Sequence, residues 1–554
     1  MKHKNTKHTT RLLLRFVSLV SVVLTFAFVA PAVAYGKGAE RAESAKDILS
    51  GIYVRADALE ALQNLSTIEM TGEIRAFELH GAVTMKSQVP DKSFQKMDLD
   101  PLVIIQIING DNSWLVDQNE SVIALSGYEL ESMISGTYLS VYGFLRDDTR
   151  SAEIEYLGVF ELNGVGCQRF SITPDGGAEM KVVIDSLSGD ILRYATLLDD
   201  IELVTTMSDF REVEGVRVAF TTVTTSPIPQ LNMTMTLTEC HFNRPLDSAL
   251  FAVNTLFAGA GKPAKRFTFQ SNATGSSRMA RIPIEESHGH VFVRATVGGS
   301  ETRAPHKARF LLDTGAGSNI ISAELAEALG LEIAGSLPVK GIAGYGSVGM
   351  VTIAELTIGA VTLLDQTVTA MRFDSEFRNS IGEFDGILGY EFFRHFVVHL
   401  NITEGEMIVY ARDVAPEPSG VALAIDFSMR APQTEATVFG QSGAFMIDLG
   451  NNGGILLHQR FAETLGLDSL QQSTQIAGRG IAGVGGSLAV SSVVAPEFKL
   501  AAMTLRDVPL SILSAGQGIA ASEKIAGNIG AGFLRGFNVI FDYGNRRIWL
   551  QALD

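Results

Sequence analysis

The sequence predicts a mainly β protein in which one β-rich domain precedes two homologous lobes of nearly equal length. Three observations carry that prediction. An apolar run ending in an aspartate and a glycine turn, Phe310-Leu311-Leu312-Asp313-Thr314-Gly315, returns 135 residues later as Phe445-Met446-Ile447-Asp448-Leu449-Gly450. Period-two alternation recurs between residues 66 and 251, for example at 67–74, 181–185 and 233–238, which is the pattern of antiparallel strands with one covered face. Finally, 554 residues exceed the roughly 250 to 300 that one hydrophobic core sustains, so two to four domains are expected.

The N-terminus reads as a secretory leader over residues 1–34. Lys2, Lys4, Lys7, Arg11 and Arg15 form a basic region, an apolar stretch runs from Phe16 to Ala30, and Ala32-Val33-Ala34 supplies a cleavage site after Ala34. That stretch, 15 residues long and ended by Pro31, is short of the roughly 20 a spanning helix needs. Cleavage would remove five positive charges and take the net charge from -17 to -22. So acidic a surface argues against nucleic acid or anionic lipid as a partner. No later segment is apolar for long enough to span a bilayer, and a periplasmic or secreted location is expected. The two cysteines, Cys167 and Cys240, are read either as one disulfide or as two buried thiols, since pairing depends on geometry.

Residues 35–258 form the β-rich domain, opened by a helix-forming stretch at 39–63. Small and polar residues at 259–280 have the composition of a linker, and a shorter break, Ala415-Pro416-Glu417-Pro418-Ser419-Gly420, separates segments 281–414 and 421–554. Those two segments are a degenerate internal repeat. Each carries the strand-to-aspartate turn and then an Ala-x-x-Leu-Gly-Leu helix end, at 326–331 and 462–467, with the glycine 17 and 18 residues past the aspartate. A glycine-rich loop follows at 344–349 and 478–483, and the last landmark is 387–396 with its partner 528–537.

An apolar strand that delivers one aspartate onto a glycine turn, twice, brings two carboxylates together across a pseudo-two-fold axis. Neighbouring carboxylates cannot both ionise readily, so they share a proton and titrate as a pair. The ionised member can take a proton from water as it attacks an amide, while the protonated member donates to the carbonyl oxygen. Asp313 and Asp448 are the expected pair, with no cofactor, metal or nucleophilic side chain required. With these motifs in hand, residues 281–554 resemble a two-lobed aspartic peptidase of retropepsin-like and pepsin-like construction, on Phe310–Ala316, the glycine-rich flaps and Gly386-Ile387-Leu388-Gly389. The resemblance implies two β-barrel lobes, peptide-bond hydrolysis, and support of the dyad by Thr314, Gly315 and Gly450. It also implies a hydroxyl where Leu449 stands; losing that hydrogen bond costs about 1 to 3 kcal/mol, with Asn451 or Asn452 available to compensate.

Gly344, Tyr345 and Gly346, and Gly478, Gly480 and Gly483 followed by Val484, are the expected flaps, because glycine permits the torsions of a moving hairpin tip. Both loops also spell Gly-x-Gly-x-x-Gly, but strand-like sequence follows each, where a dinucleotide site needs a helix. His288 with His290, and His395 with His399, lack a third ligand cluster and read as structural or surface histidines. No Gly-x-Ser-x-Gly elbow is present, and a glycosidase's two carboxylates would not sit on repeated strand turns.

Residues 40–255 are similar to periplasmic lipoprotein carrier and sorting proteins, on an N-terminal helix, Gly110-Asp111-Asn112-Ser113-Trp114, the segment 182–189 and the segment 209–216. That likeness implies a curved antiparallel sheet around a cavity for acyl chains, and so an acylated or apolar ligand. Taken together, the sequence points to an exported aspartic endopeptidase acting on peptide or protein, within one chain and without a dimer. The alternative is a catalytically weak relative that binds extended peptides or lipidated partners.

Overall fold

A computed structural model describes residues 14–16, 44–198, 201–253, 266–270, 278–298, 304–342, 344–428, 430–467, 480–483, 486–514, 518–522 and 524–553. The chain divides into two compact units, residues 18–264 and residues 1–17 with 265–554. Most of the expected leader lies outside the described residues. Its one described piece, Leu14–Phe16, is a strand paired antiparallel with Ala334–Gly341.

In the first unit, the helix-forming stretch becomes two helices, Ala45–Arg55 and Leu59–Gln63. Ser44 and Asp47 form a reciprocal capping box at the start of the first, and Asp57, at a φ of 56°, turns the chain between them. Thirteen antiparallel strands follow in one sheet. From one edge the order is Val122–Ala124, Asn112–Val116, Val103–Asn109, Lys92–Asp98, Leu79–Gln88, Thr67–Ala76, then Met233–Phe242, Val216–Thr225, Ile201–Val213, Ile191–Leu198, Met180–Asp185, Val165–Pro174 and Ala152–Leu162. Strands are thus read correctly at 67–74, 181–185 and 233–238.

One element departs from the expected run of strands: Gly127–Ser140 is an α-helix. Ten of its residues are buried, Tyr128 and Leu139 among them, so it has no polar face and no 3.6-residue periodicity to betray it. It touches Val103–Asn109, Ile191–Leu198 and Val165–Pro174, which stand third, tenth and twelfth across the sheet. Only a sheet curled around the helix brings strands so far apart in order onto one element. Tyr53, Tyr142 and Phe144 pack edge to face or tilted beside it, with centroids 5.6 to 6.1 Å apart. Cys167 and Cys240 are both buried and free; burial pushes the Cys240 thiol up to about 12.

The second unit holds both lobes. In the first, His306–Leu312, His290–Val297, Tyr345–Ile358, Val361–Met371, Ile320–Ser322 and Gly386–Leu388 pair in a ring, closed where Thr296 and Val297 meet Thr357 and Leu356. The second repeats it with Gln441–Asp448, Ala431–Val438, Gly486–Leu500, Met503–Ser514, Ile455–Leu457 and Gly527–Gly530, closed by residues 436–438 against 498–500. Each lobe is therefore a closed barrel, an arrangement that leaves its own strands no free edge. Helices Ala323–Leu329 and Gln459–Thr464 occupy equivalent places, ended by Gly330 at φ 69° and Gly466 at φ 70°.

The lobes are joined by a sheet that the sequence did not announce. Met279–Ser287, Glu406–Tyr410 and Val397–Asn401 continue directly into Phe537–Asp542, Arg547–Ala552 and Val421–Ala424. Val397–Asn401 and Phe537–Asp542, equivalent in the repeat, pair with each other, His399 opposite Ile540. Part of the expected linker also folds: Phe267–Phe269 adds to Val361–Met371, and Phe267 packs edge-on to Phe396 with centroids 4.8 Å apart. Residues 254–265 and 271–277 of this stretch lie outside the described set.

Candidate active site

The first aspartate ends a buried strand. Phe310, Leu311 and Leu312 run parallel to Gly386, Ile387 and Leu388, and the Asp313 amide donates to the Leu388 carbonyl at 3.0 Å. Gly386 and Gly389 sit where a side chain cannot: a Cβ would stand 2.4 Å from the Ile320 carbonyl oxygen at one and 2.3 Å from that of Ser318 at the other. Lobe two repeats the construction, with Phe445, Met446, Ile447 and Asp448 parallel to Gly527, Asn528, Ile529 and Gly530. Beyond each aspartate the turns match, Tyr390 N donating to Ala316 O at 2.9 Å and Ala531 N to Asn451 O at 2.7 Å. A strand that runs behind each turn thus fixes where its carboxylate emerges.

Asp313 and Asp448 come together, both fully buried. Each carboxylate accepts from the amide two residues on, Gly315 N to Asp313 Oδ1 at 2.8 Å and Gly450 N to Asp448 Oδ1 at 3.0 Å. Each glycine also faces the opposite carboxylate. A Cβ on Gly315 would lie 2.6 Å from Asp448 Oδ1, and one on Gly450 2.5 Å from both Asp313 oxygens. Glycine is required here because the second carboxyl occupies the place of its side chain. Burial first, then the neighbouring Asp448 charge, hold the Asp313 carboxyl well above the usual carboxylate range, so one proton stays on the pair at pH values where an exposed aspartate has lost it. Tyr543 lies within the field of both aspartates and is itself pushed up, mainly by burial; its ring packs with Tyr390, Phe393 and Phe427.

Thr314 reaches across the lobe interface. Its hydroxyl donates to the Ile447 carbonyl at 2.8 Å and accepts from the Leu449 amide at 3.0 Å. Leu449, fully buried, has no hydroxyl to return the bond. Asn451 does not replace it, since its Oδ1 accepts from Gly453 N within its own loop. Asn452 does bridge the lobes, donating to the His288 carbonyl at 2.8 Å, at a different point from the dyad turns.

The glycine-rich segments fall on hairpins, with a shift from the expected bounds. Strands Ala334–Gly341 and Tyr345–Ile358 flank a tip at 341–345, so Gly344 lies in the tip while Tyr345 and Gly346 begin the returning strand. The second hairpin joins Gly480–Gly483 to Gly486–Leu500. Gly480 and Gly483 lie in its outgoing strand, whereas Gly478 and Val484 lie outside the described residues. By pairing, Gly341 opposite Gly344 corresponds to Gly483 opposite Gly486, so Gly344 and Gly478 are not equivalent, and the shared Gly-Ile-Ala-Gly of 341–344 and 480–483 falls at different points of the two hairpins. Strand follows each, as expected of the rejected dinucleotide pattern. Ala520 N donates to Ile342 O at 3.3 Å, so the first tip touches lobe two.

Two polar residues of the site were not singled out from sequence. Asn528 donates from Nδ2 to Asp448 Oδ2 at 2.7 Å, and His458 Nε2 meets Asn528 Oδ1 at 2.7 Å. Both are fully buried. The signal was available in the repeat, because Asn528 stands where lobe one has Ile387. Of the histidines set aside, His395 is buried against Phe267 and Phe396, and burial, helped by Arg394, Arg412 and Arg266, brings it down to about 3.

Residues 293–392 and 434–533 each match the sequence model of the aspartyl protease family. No curated protein sequence matches the chain. Among solved structures it is similar to an aspartic proteinase from Irpex lacteus, at 15% identity over 50% of this chain and 98% of the other, with a TM-score of 0.34. It is also similar to a putative outer membrane lipoprotein-sorting protein domain from Vibrio parahaemolyticus, at 14% identity over 38% and 99%, TM-score 0.29. A LolA superfamily protein from Nitrosomonas europaea matches at 10% identity over 38% and 98%, TM-score 0.29. One match to the aspartyl protease family thus falls in each lobe, 293–392 and 434–533, and each contains one of the two aspartate turns of the shared site.

Proposed function

We propose that the chain is an exported aspartic-type endopeptidase that hydrolyses peptide bonds through Asp313 and Asp448. The observation that carries this reading is the meeting of two fully buried carboxyls on equivalent turns, one held above its ordinary range by burial and then by the other. In the reaction, a water loses a proton to the ionised carboxylate as its oxygen bonds to the scissile carbonyl carbon, and the protonated carboxyl donates to the carbonyl oxygen. Collapse of the tetrahedral species breaks the carbon–nitrogen bond, the nitrogen taking up the proton held by the first carboxylate while one diol hydroxyl returns a proton to the second. The hairpin at 334–358 would cover an extended peptide, and the expected leader supports export.

The test is incubation of the mature chain, and of Asp313→Asn, with a mixed peptide library from acid to neutral pH, new termini being read by mass spectrometry. Cleavage that disappears in the variant supports the reading; cleavage that persists removes it.

Leu449 favours a second reading, in which a peptidase-like body binds extended peptides or lipidated partners without cutting them. One hydroxyl then braces the dyad where the family resemblance implies two. Saturable peptide binding with no new termini would select it. An acylated or apolar ligand for the N-terminal domain belongs to the same proposal. Its curled sheet encloses a helix whose buried side chains would have to be displaced, so failure of the full chain to take up a fluorescent fatty acid removes that part.

A further inference from the structure

Apart from Leu449 in place of a hydroxyl, the two lobes also differ behind the dyad at two linked positions. In lobe one, Ile387 backs the aspartate strand opposite Leu311, and Ser322 caps the following helix by accepting from Leu325 N at 3.0 Å. In lobe two the register is the same, Asn528 opposite Met446 and His458 at the cap position before Gln459–Thr464. His458 makes no capping hydrogen bond; its Nε2 is directed 2.7 Å from Asn528 Oδ1.

Chemistry fixes the direction of this chain of bonds. Asp448 can only accept when ionised, so the Asn528 amide must present Nδ2 to it. Asn528 Oδ1 is then an acceptor, and His458 must carry a hydrogen on Nε2. Two buried polar groups replace an apolar one and a helix cap, an expensive exchange unless each is paired, and what they supply is a side-chain N–H for one aspartate alone. Asp448 accepts from Gly450 N and from the side-chain Nδ2 of Asn528; Asp313 is favoured in its charged form by the backbone amides of Gly315 and Ala316 alone, and its Oδ2 has no hydrogen-bond partner among the described residues.

From this asymmetry we infer that Asn528, held by His458, is a positioning residue that makes Asp448 the ionised member of the pair and leaves the shared proton on Asp313. The inference rests on the endopeptidase reading and deepens it: Asp448 removes the proton from water, and Asp313 donates to the substrate carbonyl. The groups that face Asp448 and titrate or carry charge are Asp313 from lobe one, Tyr543 from the central sheet's last turn and His458 beyond Asn528. Asn528 stands behind the dyad turn, so it acts through Asp448 without touching substrate.

The experiment replaces Asn528 by the residue lobe one uses, Asn528→Ile, and measures cleavage across pH. Loss of a hydrogen bond to the charged form should raise the pKa of the acidic limb of kcat/KM by about one to two pH units. It should lower kcat by about tenfold to a hundredfold with KM nearly unchanged, and His458→Leu should move the same limb part of the way. An unshifted acidic limb in an active Asn528→Ile chain overturns the inference and leaves the endopeptidase reading standing; absence of cleavage by the native chain overturns both. Because a variant can fail to fold, the native chain is also labelled with 13C at the aspartate carboxyls and titrated, with Asp448→Asn identifying the resonance. An Asp448 carboxyl that ionises at lower pH than Asp313 supports the inference, and the reverse order overturns it.

Discussion

Thr314 supplies the hydroxyl brace between the two dyad turns, and Thr314→Val removes it with little change in shape. The substitution deletes a bond donated to Ile447 O at 2.8 Å and one accepted from Leu449 N at 3.0 Å. Each is worth about 0.5 to 1.5 kcal/mol net. Both backbone partners would then be buried beside a methyl group, and a stranded buried group costs about 1 to 3 kcal/mol, so the combined loss should be about 2 to 4 kcal/mol. Leu449 cannot compensate, having no hydroxyl. Thr314→Ser keeps the hydroxyl and loses one buried methyl, about 0.8 kcal/mol. Trp549 lies in the central sheet of the lobes, and the other tryptophan, Trp114, lies in the N-terminal sheet. In a Trp114→Phe background, urea unfolding followed by tryptophan fluorescence therefore reports on the lobes. The expected result is a midpoint for valine well below that for serine at equal slope. Equal midpoints for the two would refute the argument that this hydroxyl braces the interface.

Other outcomes follow from the same structure. Gly450→Ala places a Cβ 2.5 Å from the Asp313 oxygens, so peptide cleavage should fall at least about tenfold while the circular dichroism spectrum is retained. Asp313 has its pKa raised by burial and by Asp448; the native state therefore holds a proton the unfolded chain releases above about pH 4. Stability is lost as pH rises through that window, and thermal melts should show Asp313→Asn gaining on the native chain towards neutral pH. The opposite sign applies to His395, lowered to about 3 by burial and nearby arginines: the unfolded chain binds a proton first below about pH 6.5. Stability is then lost as pH falls from 6.5 towards 3, and His395→Phe should flatten the acid side of the melting curve. Cys240, pushed up to about 12 and buried, should resist a thiol reagent at pH 8 until urea unfolds its domain.

Much of the site was legible because the chain states it twice. Phe310–Gly315 and Phe445–Gly450 were sufficient to place Asp313 and Asp448 on equivalent turns, since an apolar strand with a glycine beyond it has few ways to fold. Register within the flaps was not legible in the same way. Glycines at 341, 344, 346, 478, 480 and 483 allow several alignments, and only strand pairing selected Gly341 with Gly483. The helix at 127–140 escaped notice because burial on every side erased its periodicity, and Phe267–Phe269 looked like linker because three residues are too few for a pattern. Asn528 and His458 lie 70 residues apart, and nothing local marks either as a neighbour of Asp448.

By itself the sequence determined the duplication, the mainly β character and the two carboxyls, each of which is a local pattern of apolar spacing, turn glycine and charge. Tertiary structure alone decided the closure of each barrel, the central sheet across the pseudo-two-fold axis, and the unequal surroundings of the two aspartates. Those depend on contacts between segments distant in the chain, where one buried hydrogen bond from Asn528 separates two carboxylates whose local sequences are nearly the same.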